Sequence, residues 1–284
     1  MRVLLVTPFP PMRSPEGDHA YSLCERLAEY GLDIQVVTAR GSLPHPRIPV
    51  HRILRDWGWA DGPRLAWLIR RCRPDAILLV YTGWVYRYHP MMTFVPSIAK
   101  RLVPQARVVT WFHVALGTEW PRALLARAVL RGVMWWVGRQ GVDLEFGTLF
   151  RDSDRIVVPS EGIRAALAER SMDLRRKSVL VPSPQNIRTC PDHDGTIRGN
   201  RRRALGLQPD DPLIAYFGYI YPSKGLEYLI EALRIVTRRG HPRARLVIVG
   251  GVIPDFGFSY EQRLRDLVRE LRLDERVTWA GGFQ

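Results

Sequence analysis

The chain has 284 residues, of which 46% are hydrophobic and 25% charged, and this composition excludes a largely disordered protein. Its formal net charge is +14, which predicts attraction to polyanions without choosing between nucleic acid, anionic lipid and phosphorylated substrates. We expect neither a membrane-spanning helix nor a secretory signal, and three widely spaced cysteines indicate no disulfide framework and no metal site. A cytoplasmic setting is therefore the default.

The first half of the chain repeats a strand, a loop and a helix. A strand at Val3–Val6 is followed by a Pro- and Gly-rich loop and by a helix with Asp18 as the expected N-cap and Gly31 as its end. A second apolar run at Ile34–Val37 completes a βαβ unit, which predicts a parallel sheet. The pattern continues through further predicted elements: helices at Arg64–Arg71, Thr93–Leu102 and Ile163–Glu169, and strands at Ala76–Tyr81, Arg107–Trp111, Ile156–Pro159 and Val179–Val181.

Residues 183 to 211 interrupt this rhythm with prolines, glycines and three consecutive arginines, which indicates a linker that contains a short helix near Arg203. We therefore predict an α/β protein with two doubly wound parallel-sheet domains: residues 1–183, a linker at 184–211, and residues 212–284. The second domain is expected to be incomplete. Its predicted elements are strands at Leu213–Phe217, Arg245–Val249 and Val277–Trp279 and helices at Leu226–Arg239 and Glu261–Leu271.

The loop between Phe217 and Leu226 is a candidate phosphate site. Gly218 would let the backbone approach a ligand closely, and Lys224 adds a positive charge. A helix that begins at or just after Gly225 would offer unpaired N–H groups. The alternative is an ordinary turn with a solvated lysine, but the chain has only three lysines, so a lysine here is unexpected by chance.

Two further segments are expected at the carboxyl edge of the first sheet, where open parallel sheets bind their ligands. His113 follows the strand Arg107–Trp111, and Gly17, Asp18 and His19 follow the first strand. A neutral imidazole can accept a proton or hydrogen-bond a hydroxyl group. The alternatives are a half-buried structural histidine at 113, a helix cap at Asp18 and a surface residue at His19.

The segment from Leu124 to Phe150 combines apolar residues and tryptophans with regularly interleaved arginines. This composition is typical of a helix that lies in a membrane interface. A buried helix with an arginine rim is the alternative interpretation.

Taken together, these features resemble the retaining, nucleotide-sugar-dependent glycosyltransferases of family 4, which have the GT-B fold of two Rossmann-like domains. The match from Tyr216 to Glu227 is the most specific, because it resembles the segment whose lysine contacts the donor diphosphate. The resemblance covers nearly the whole chain. It is carried also by Val3–Pro11, Gly17–His19, Val109–His113, Asp154–Ser160, Leu246–Gly251 and Val277–Gly281.

The resemblance implies transfer of a sugar from a nucleoside-diphosphate-sugar donor to a sugar or lipid-linked acceptor, with retention and without a further cofactor or a metal. It assigns the donor to Gly218, Tyr219, Lys224 and Gly225. The acceptor is assigned to the segment Gly17-Asp18-His19, and His113 is the catalytic candidate. A lipid-linked acceptor would also imply peripheral contact with the inner face of the membrane.

Three departures from the family pattern stand out. Tyr219 occupies a position where the family often has arginine, and the paired glycines of the first loop are reduced to Gly17. The family's E-x7-E segment, which holds the donor sugar and ribose, would lie beyond Gln284. We therefore expect this chain to be an inactive fragment.

Two other functions are alternatives to this one. A sugar-nucleotide epimerase or a phosphorylase of the same architecture is the nearest alternative. A nucleic-acid-binding protein is the distant one, and it rests on the net charge alone. Because the basic residues look dispersed and no reader helix or RNA-binding pattern is present, we expect no nucleic-acid partner.

Overall fold

The computed structural model describes residues 1–12, 15–113, 124–143, 145–183, 190–252 and 258–281. The chain forms two compact units, Met1–Ile187 and Arg188–Gln284. Each unit is built on its own sheet, and every pair of neighbouring strands in both sheets is parallel, as predicted.

The first unit contains a seven-stranded sheet with the strand order β3-β2-β1-β4-β5-β6-β7. The strand order reverses next to β1: β2 and β3 lie on one side of it, and β4 to β7 lie on the other. The carboxyl ends of β1, β4 and β5 therefore lie side by side next to this switch point, which is where a doubly wound sheet binds ligands. The strands are Arg2–Val6 (β1), Asp33–Ala39 (β2), Val50–Leu54 (β3), Ala76–Tyr81 (β4), Arg107–Phe112 (β5), Arg155–Val158 (β6) and Ser178–Leu180 (β7).

Seven α-helices of the first unit lie in the described ranges. They are Pro15–Glu29 (α1), Gly62–Cys72 (α2), Val95–Leu102 (α3), Leu124–Val137 (α4), Leu149–Asp152 (α5), Glu161–Arg170 (α6) and Met172–Lys177 (α7). The helix predicted from Thr93 begins instead as a 3₁₀ turn over Pro90–Phe94 and becomes α-helical at Val95.

The expectation that Asp18 caps the first helix is wrong. The helix α1 begins at Pro15, so Asp18 lies within its first turn. Proline is favoured at a helix start because its fixed φ suits the first turn and its missing N–H would have no intrahelical partner there. Asp18 and Glu16 still suit this position, because acidic side chains are favourable near the positive end of the helix dipole.

The strand β1 shows how the sheet of the first unit is covered on both faces. Leu4 and Val6 lie in a hydrophobic cluster with residues of α2 and α3, whereas Val3 and Leu5 lie in a second cluster with Ala20 of α1. Successive side chains of a strand point to opposite faces, so a strand buried on both sides is a continuous apolar run rather than an alternating one.

The segment predicted as one helical region from Leu124 to Phe150 is divided into α4 and α5. Leu130 and Val137 of α4 are buried and cluster with Phe94, so one side of this helix packs on the unit. Its other side is exposed, and the side chain of Trp135 is 81% exposed. No helix in the described part of the chain is long and apolar enough to cross a bilayer.

The second unit contains three strands in the order β10-β9-β8 and three α-helices within the described residues. The short helix expected near Arg203 is present as the first of them. The strands are Leu213–Phe217 (β8), Arg245–Val249 (β9) and Val277–Trp279 (β10), and the helices are Thr196–Ala204 (α8), Leu226–Arg238 (α9) and Phe258–Glu270 (α10). The core of this unit packs Ile230 and Leu233 of α9 and Leu264 of α10 on Leu246 and Ile248 of β9.

Candidate functional site

The first candidate edge lies at the carboxyl ends of β1, β4 and β5, beneath the first turn of α1. His19, only 2% exposed, packs edge-on against Trp111 with the ring centroids 4.7 Å apart. It lies equally edge-on to His113, at 5.4 Å between centroids, and the Trp111 and His113 rings stack at 5.6 Å. The structure therefore brings together two of the predicted residues, His19 and His113, although 93 residues lie between them in the chain.

His113 is held by the sheet. Its backbone N–H donates to the carbonyl of Tyr81 at 3.1 Å, which continues the ladder between β4 and β5 by one residue. Its side-chain Nε2 is buried and has no hydrogen-bond partner within the described ranges. Burial, and then the neighbouring His19, lower the pKa of His113 from 6.5 to about 4. The ring is therefore neutral near pH 7 and can pair with a hydroxyl group.

The other predicted residues of this edge are arranged less favourably. Gly17 is buried in the first turn of α1, and Asp18 is exposed there. Glu16 was not predicted at this edge; it is only 8% exposed and lies against the side chains of Thr82 and Trp84 at the end of β4. The available signal was its spacing from His19, since residues three apart share one face of a helix.

The depressed pKa of His113 predicts a pH dependence of stability. The unfolded chain binds a proton at His113 below about pH 6.5, whereas the folded chain does so only below about pH 4. The free energy of unfolding should therefore fall as the pH is lowered through this window, by ~3 kcal/mol in total from this group. His113→Asn should flatten the dependence, measured by urea unfolding between pH 4 and 8.

His241→Asn provides the control for this measurement, because His241 is exposed in the second unit. It should leave the pH dependence unchanged. An equally steep dependence in wild type and His113→Asn would show that His113 is not held neutral by its surroundings.

The second candidate edge lies at the carboxyl ends of β8, β9 and β10. Three backbone hydrogen bonds join the loops that follow these strands. Gly218 N–H donates to the carbonyl of Val249 at 3.0 Å, Ile220 N–H to that of Gly251 at 2.9 Å, and Gly250 N–H to that of Gly281 at 2.9 Å. The predicted donor loop is therefore fixed along its first residues to the neighbouring strand ends.

Glycines make this close approach possible. A Cβ atom at Gly250 would lie only 1.8 Å from the carbonyl oxygen of Gly218, a distance that no side chain can occupy. Gly218 has φ +151° and Gly225 has φ +63°, both in the region that favours glycine. Gly218 and Gly225 were predicted as site residues, whereas the close contact at Gly250 was not, because a glycine directly after a strand was its only signal in the sequence.

Lys224 is exposed at the end of a 3₁₀ turn over Pro222–Lys224. Its ammonium lies 5.2 Å from the centroid of the Tyr221 ring, a cation–π arrangement that keeps the charge beside the loop. Tyr219 is half-buried, and its carbonyl accepts a hydrogen bond of 2.7 Å from the hydroxyl of Tyr216. Lys224 is thus positioned as a charged group at the surface of this edge.

The start of α9 differs from the expectation of unpaired N–H groups. The backbone N–H of Leu226 donates to the Tyr260 hydroxyl at 3.1 Å, and this hydroxyl donates in turn to the carboxylate of Glu227. Burial, and then the Glu227 carboxylate, raise the pKa of Tyr260 to about 12, so its hydroxyl stays protonated. Because the first N–H is used internally and a carboxylate stands next to it, the start of α9 offers an anion less than the sequence predicts, and Lys224 adds the positive charge of the loop.

No group of three or more His, Cys, Asp or Glu side chains in the described part of the chain is placed to hold a metal ion. Each unit thus has its own candidate site: a buried, neutral imidazole edge in the first unit, and a glycine-bounded loop with a lysine in the second.

Two units, each built on a parallel α/β sheet, form the GT-B architecture of glycosyltransferases, as predicted. The family model described as "Glycosyltransferase Family 4" matches residues 17–184, which is more than half of the chain. A second model, "Glycosyl transferases group 1", matches residues 198–284. The chain therefore belongs to glycosyltransferase family 4.

Curated relatives match parts of the chain. A D-inositol 3-phosphate glycosyltransferase of Nocardia farcinica is 30% identical over 132 residues, which are 46% of this chain and 28% of the relative. A GDP-mannose-dependent alpha-(1-6)-phosphatidylinositol monomannoside mannosyltransferase of Mycolicibacterium smegmatis is 28% identical over 216 residues, or 71% of this chain and 54% of the relative. The matched regions thus span about half or less of these relatives.

Solved structures of similar fold cover the whole chain at low identity. Anabaena Alr3699/HepE in complex with UDP superimposes with a TM-score of 0.65 at 16% identity, and this chain covers 70% of it. The glycosyltransferase WaaG, involved in lipopolysaccharide biosynthesis, gives 0.57 at 14% identity and 70% coverage. A UDP-GlcNAc 2-epimerase from Neisseria meningitidis gives 0.52 at 12% identity and 73% coverage. These likenesses establish the fold alone.

Proposed function

We propose that this chain belongs to an enzyme that transfers a sugar, with retention, from a nucleoside-diphosphate-sugar donor to a sugar or lipid-linked acceptor. The donor diphosphate binds at the loop Gly218–Gly225, where Lys224 neutralises the charge that develops on the leaving group. The acceptor binds at the edge that holds His19 and His113. The main observation in support of this proposal is the close backbone contact between Gly218 and Gly250, because it holds the lysine-bearing loop at a sheet edge.

The comparisons support this choice over the alternatives. The family model that matches most of the first unit describes glycosyltransferases, and the names of the relatives specify transfer to inositol phosphate or to a phosphatidylinositol mannoside. Epimerases are also among the proteins of similar fold, but at 12% identity the likeness of this chain to the Neisseria enzyme concerns architecture only. The matched family therefore favours a transferase over an epimerase.

Nucleotide binding tests the proposal with the chain alone. We expect UDP or GDP to bind to residues 1–284, while the free nucleosides uridine and guanosine bind far more weakly, because the lysine loop recognises phosphate. Isothermal titration calorimetry measures the four affinities. Equal affinities for nucleotide and nucleoside, or no nucleotide binding at all, would refute a diphosphate site in this chain.

We also propose peripheral contact with an anionic membrane through the helices α2, α3 and α4. These helices contain no acidic residue, and α3 packs between the other two. Between residues 62 and 142 the sequence has twelve Arg and Lys residues against two acidic ones, so the basic excess is concentrated there and the prediction of dispersed basic residues is wrong.

Exposed tryptophans accompany this charge. Trp67 on α2 is 53% exposed and has the guanidinium of Arg71 over its ring at 5.1 Å. On α4, Trp135 is 81% exposed, and the guanidinium of Arg101 lies over the Trp136 ring, 5.3 Å from its centroid. Aromatic rings with arginines on an exposed helical face suit the boundary between lipid head groups and acyl chains better than they suit a nucleic acid backbone.

Vesicle binding tests this contact. We expect the chain to bind vesicles of phosphatidylglycerol and phosphatidylcholine, and to bind less as salt rises, because each basic residue near an anionic surface contributes about 1 kcal/mol. Arg127→Gln together with Arg131→Gln should weaken binding about tenfold or more. The measurement is co-sedimentation with vesicles at 50 to 500 mM NaCl.

The matched control is Arg238→Gln together with Arg239→Gln, which removes the same charge from an exposed position in the second unit. It should bind vesicles as wild type does. Equal binding to neutral vesicles, or none to either kind, would favour a purely structural α4. Tighter binding to duplex DNA than to the vesicles would assign the basic face to nucleic acid.

A further inference from the structure

Three buried polar atoms around the first turn of α1 have no hydrogen-bond partner within the described ranges. They belong to the side chains of Glu16 (Oε2), Trp111 (Nε1) and His113 (Nε2). Folded proteins seldom leave buried polar atoms unpaired, because each has given up its hydrogen bonds to water. Three such atoms at one sheet edge point to a ligand that supplies the missing partners.

Glu16 is the charged member of this group. It lies one helical turn before His19 on the same face of α1, and its side chain meets Thr82 and Trp84. Burial raises the pKa of its carboxyl group, an effect that hydrogen bonds from its own backbone and from these neighbours partly offset. Among the described residues, the one charge that acts on it noticeably is the like charge of Asp18, and no arginine or lysine is paired with it.

The unpaired atoms define the chemistry of the missing partner. The unpaired oxygen of the Glu16 carboxylate accepts hydrogen bonds, and the Trp111 indole N–H donates one. His113 is neutral at pH 7 and therefore does not neutralise Glu16. A group of this kind suits hydroxyl groups, which donate and accept at once, or an ammonium group, but it repels a phosphate.

We propose that Glu16 is a specificity-determining residue of the acceptor site: its carboxylate accepts hydrogen bonds from hydroxyl or ammonium groups of the acceptor and excludes a phosphate at that position. This inference rests on the proposed function, which places the acceptor at the edge of His19 and His113. It adds the chemical character of the acceptor group that enters this edge.

Three sugars of similar shape test the proposal in the presence of UDP: methyl α-D-glucopyranoside, D-glucosamine and D-glucose 6-phosphate. Ligand-observed NMR on the full chain should show that the wild type prefers glucosamine to glucose 6-phosphate by about tenfold or more. Glu16→Gln keeps the shape and removes the charge, so it should reduce this preference to about threefold or less. Glu29→Gln removes the same charge from the exposed last turn of α1 and should leave the preference unchanged.

An unchanged preference in Glu16→Gln, or a wild type that prefers the phosphate, would overturn the proposal. If none of the sugars binds, urea unfolding of wild type and Glu16→Gln at pH 8 tests the proposal instead. A buried carboxylate that has no partner until a ligand binds destabilises the protein without ligand. Glu16→Gln should therefore unfold at a higher urea concentration than wild type. A lower midpoint would show that Glu16 is structural and would overturn the proposal. If the proposed function is wrong, UDP will not bind to the chain. The unfolding comparison contains no UDP, so its result is independent of that failure.

Discussion

Gly250→Ala is expected to destabilise the second unit by ~3 kcal/mol or more, because the new methyl group has no space. Its Cβ would lie 1.8 Å from the carbonyl oxygen of Gly218, which is backbone and cannot rotate away. The loops after β8 and β9 would have to separate. That separation would weaken the bonds from Gly218 to Val249 and from Ile220 to Gly251, and it would displace the lysine loop.

Urea unfolding of wild type and Gly250→Ala measures this effect. The matched control is Gly199→Ala, since a Cβ at Gly199 in α8 meets no atom within 4 Å. Alanine is the better helix former by ~0.5–1 kcal/mol, so the control should be neutral or slightly stabilising. If Gly250→Ala unfolds at the same urea concentration as wild type, the two loops do not approach each other as described.

Lys224→Ala is expected to weaken the binding of UDP or GDP by ~1–3 kcal/mol, about tenfold to a hundredfold, through loss of a charge-assisted hydrogen bond to phosphate. The effect should fall almost entirely on the affinity and not on stability, because the side chain is exposed. Lys224→Arg keeps the charge and should retain part of the affinity. Calorimetry with each variant measures the change.

Arg238→Ala is the control for a general loss of positive charge, since Arg238 is exposed in the last turn of the same helix that Lys224 precedes. It should leave the nucleotide affinity within about twofold of wild type, because exposed charges a helix length apart are screened at ordinary salt. Equal losses of nucleotide affinity in Lys224→Ala and Arg238→Ala would show that the nucleotide is attracted by the overall positive charge and that Lys224 does not contact it specifically.

The parallel sheets could be predicted because their strands are short, continuous apolar runs separated by helical patterns. The strand Ala76–Tyr81 is found with its predicted bounds, since a strand buried on both faces needs apolar residues throughout. The edge strand Val50–Leu54 was missed, because His51 and Arg52 interrupt its apolar pattern. An edge strand has one neighbour and partial exposure, so its sequence is less constrained.

The candidate site was predictable only where its residues are close in the chain. Gly218, Lys224 and Gly225 lie on one loop, and their residue types indicate a turn with a charged tip. The contact between Gly250 and Gly218 depends on how two strands pair, which local sequence does not contain. The hydroxyl of Tyr260 reaches Leu226 across 34 residues, so its use of the first N–H of α9 could not be predicted either.

The first-unit edge illustrates the same limit. His113 was predicted there from its place after a strand, and the structure adds the surroundings that lower its pKa. Glu16 was passed over because the loop was expected to extend to Gly17, and a loop carboxylate carries no expectation of burial. Once the helix begins at Pro15, Glu16 and His19 share a face that is directed at the strand ends.

Hydrogen–deuterium exchange with and without saturating UDP or GDP tests the central claim, the diphosphate site at the loop Gly218–Gly225, most directly. We predict slower exchange in this loop and in the adjoining residues 249–251, with uridine or guanosine giving no such protection, because the phosphates make the contact. Unchanged exchange in the loop, or protection confined to the first unit, would contradict the claim and would place any nucleotide elsewhere.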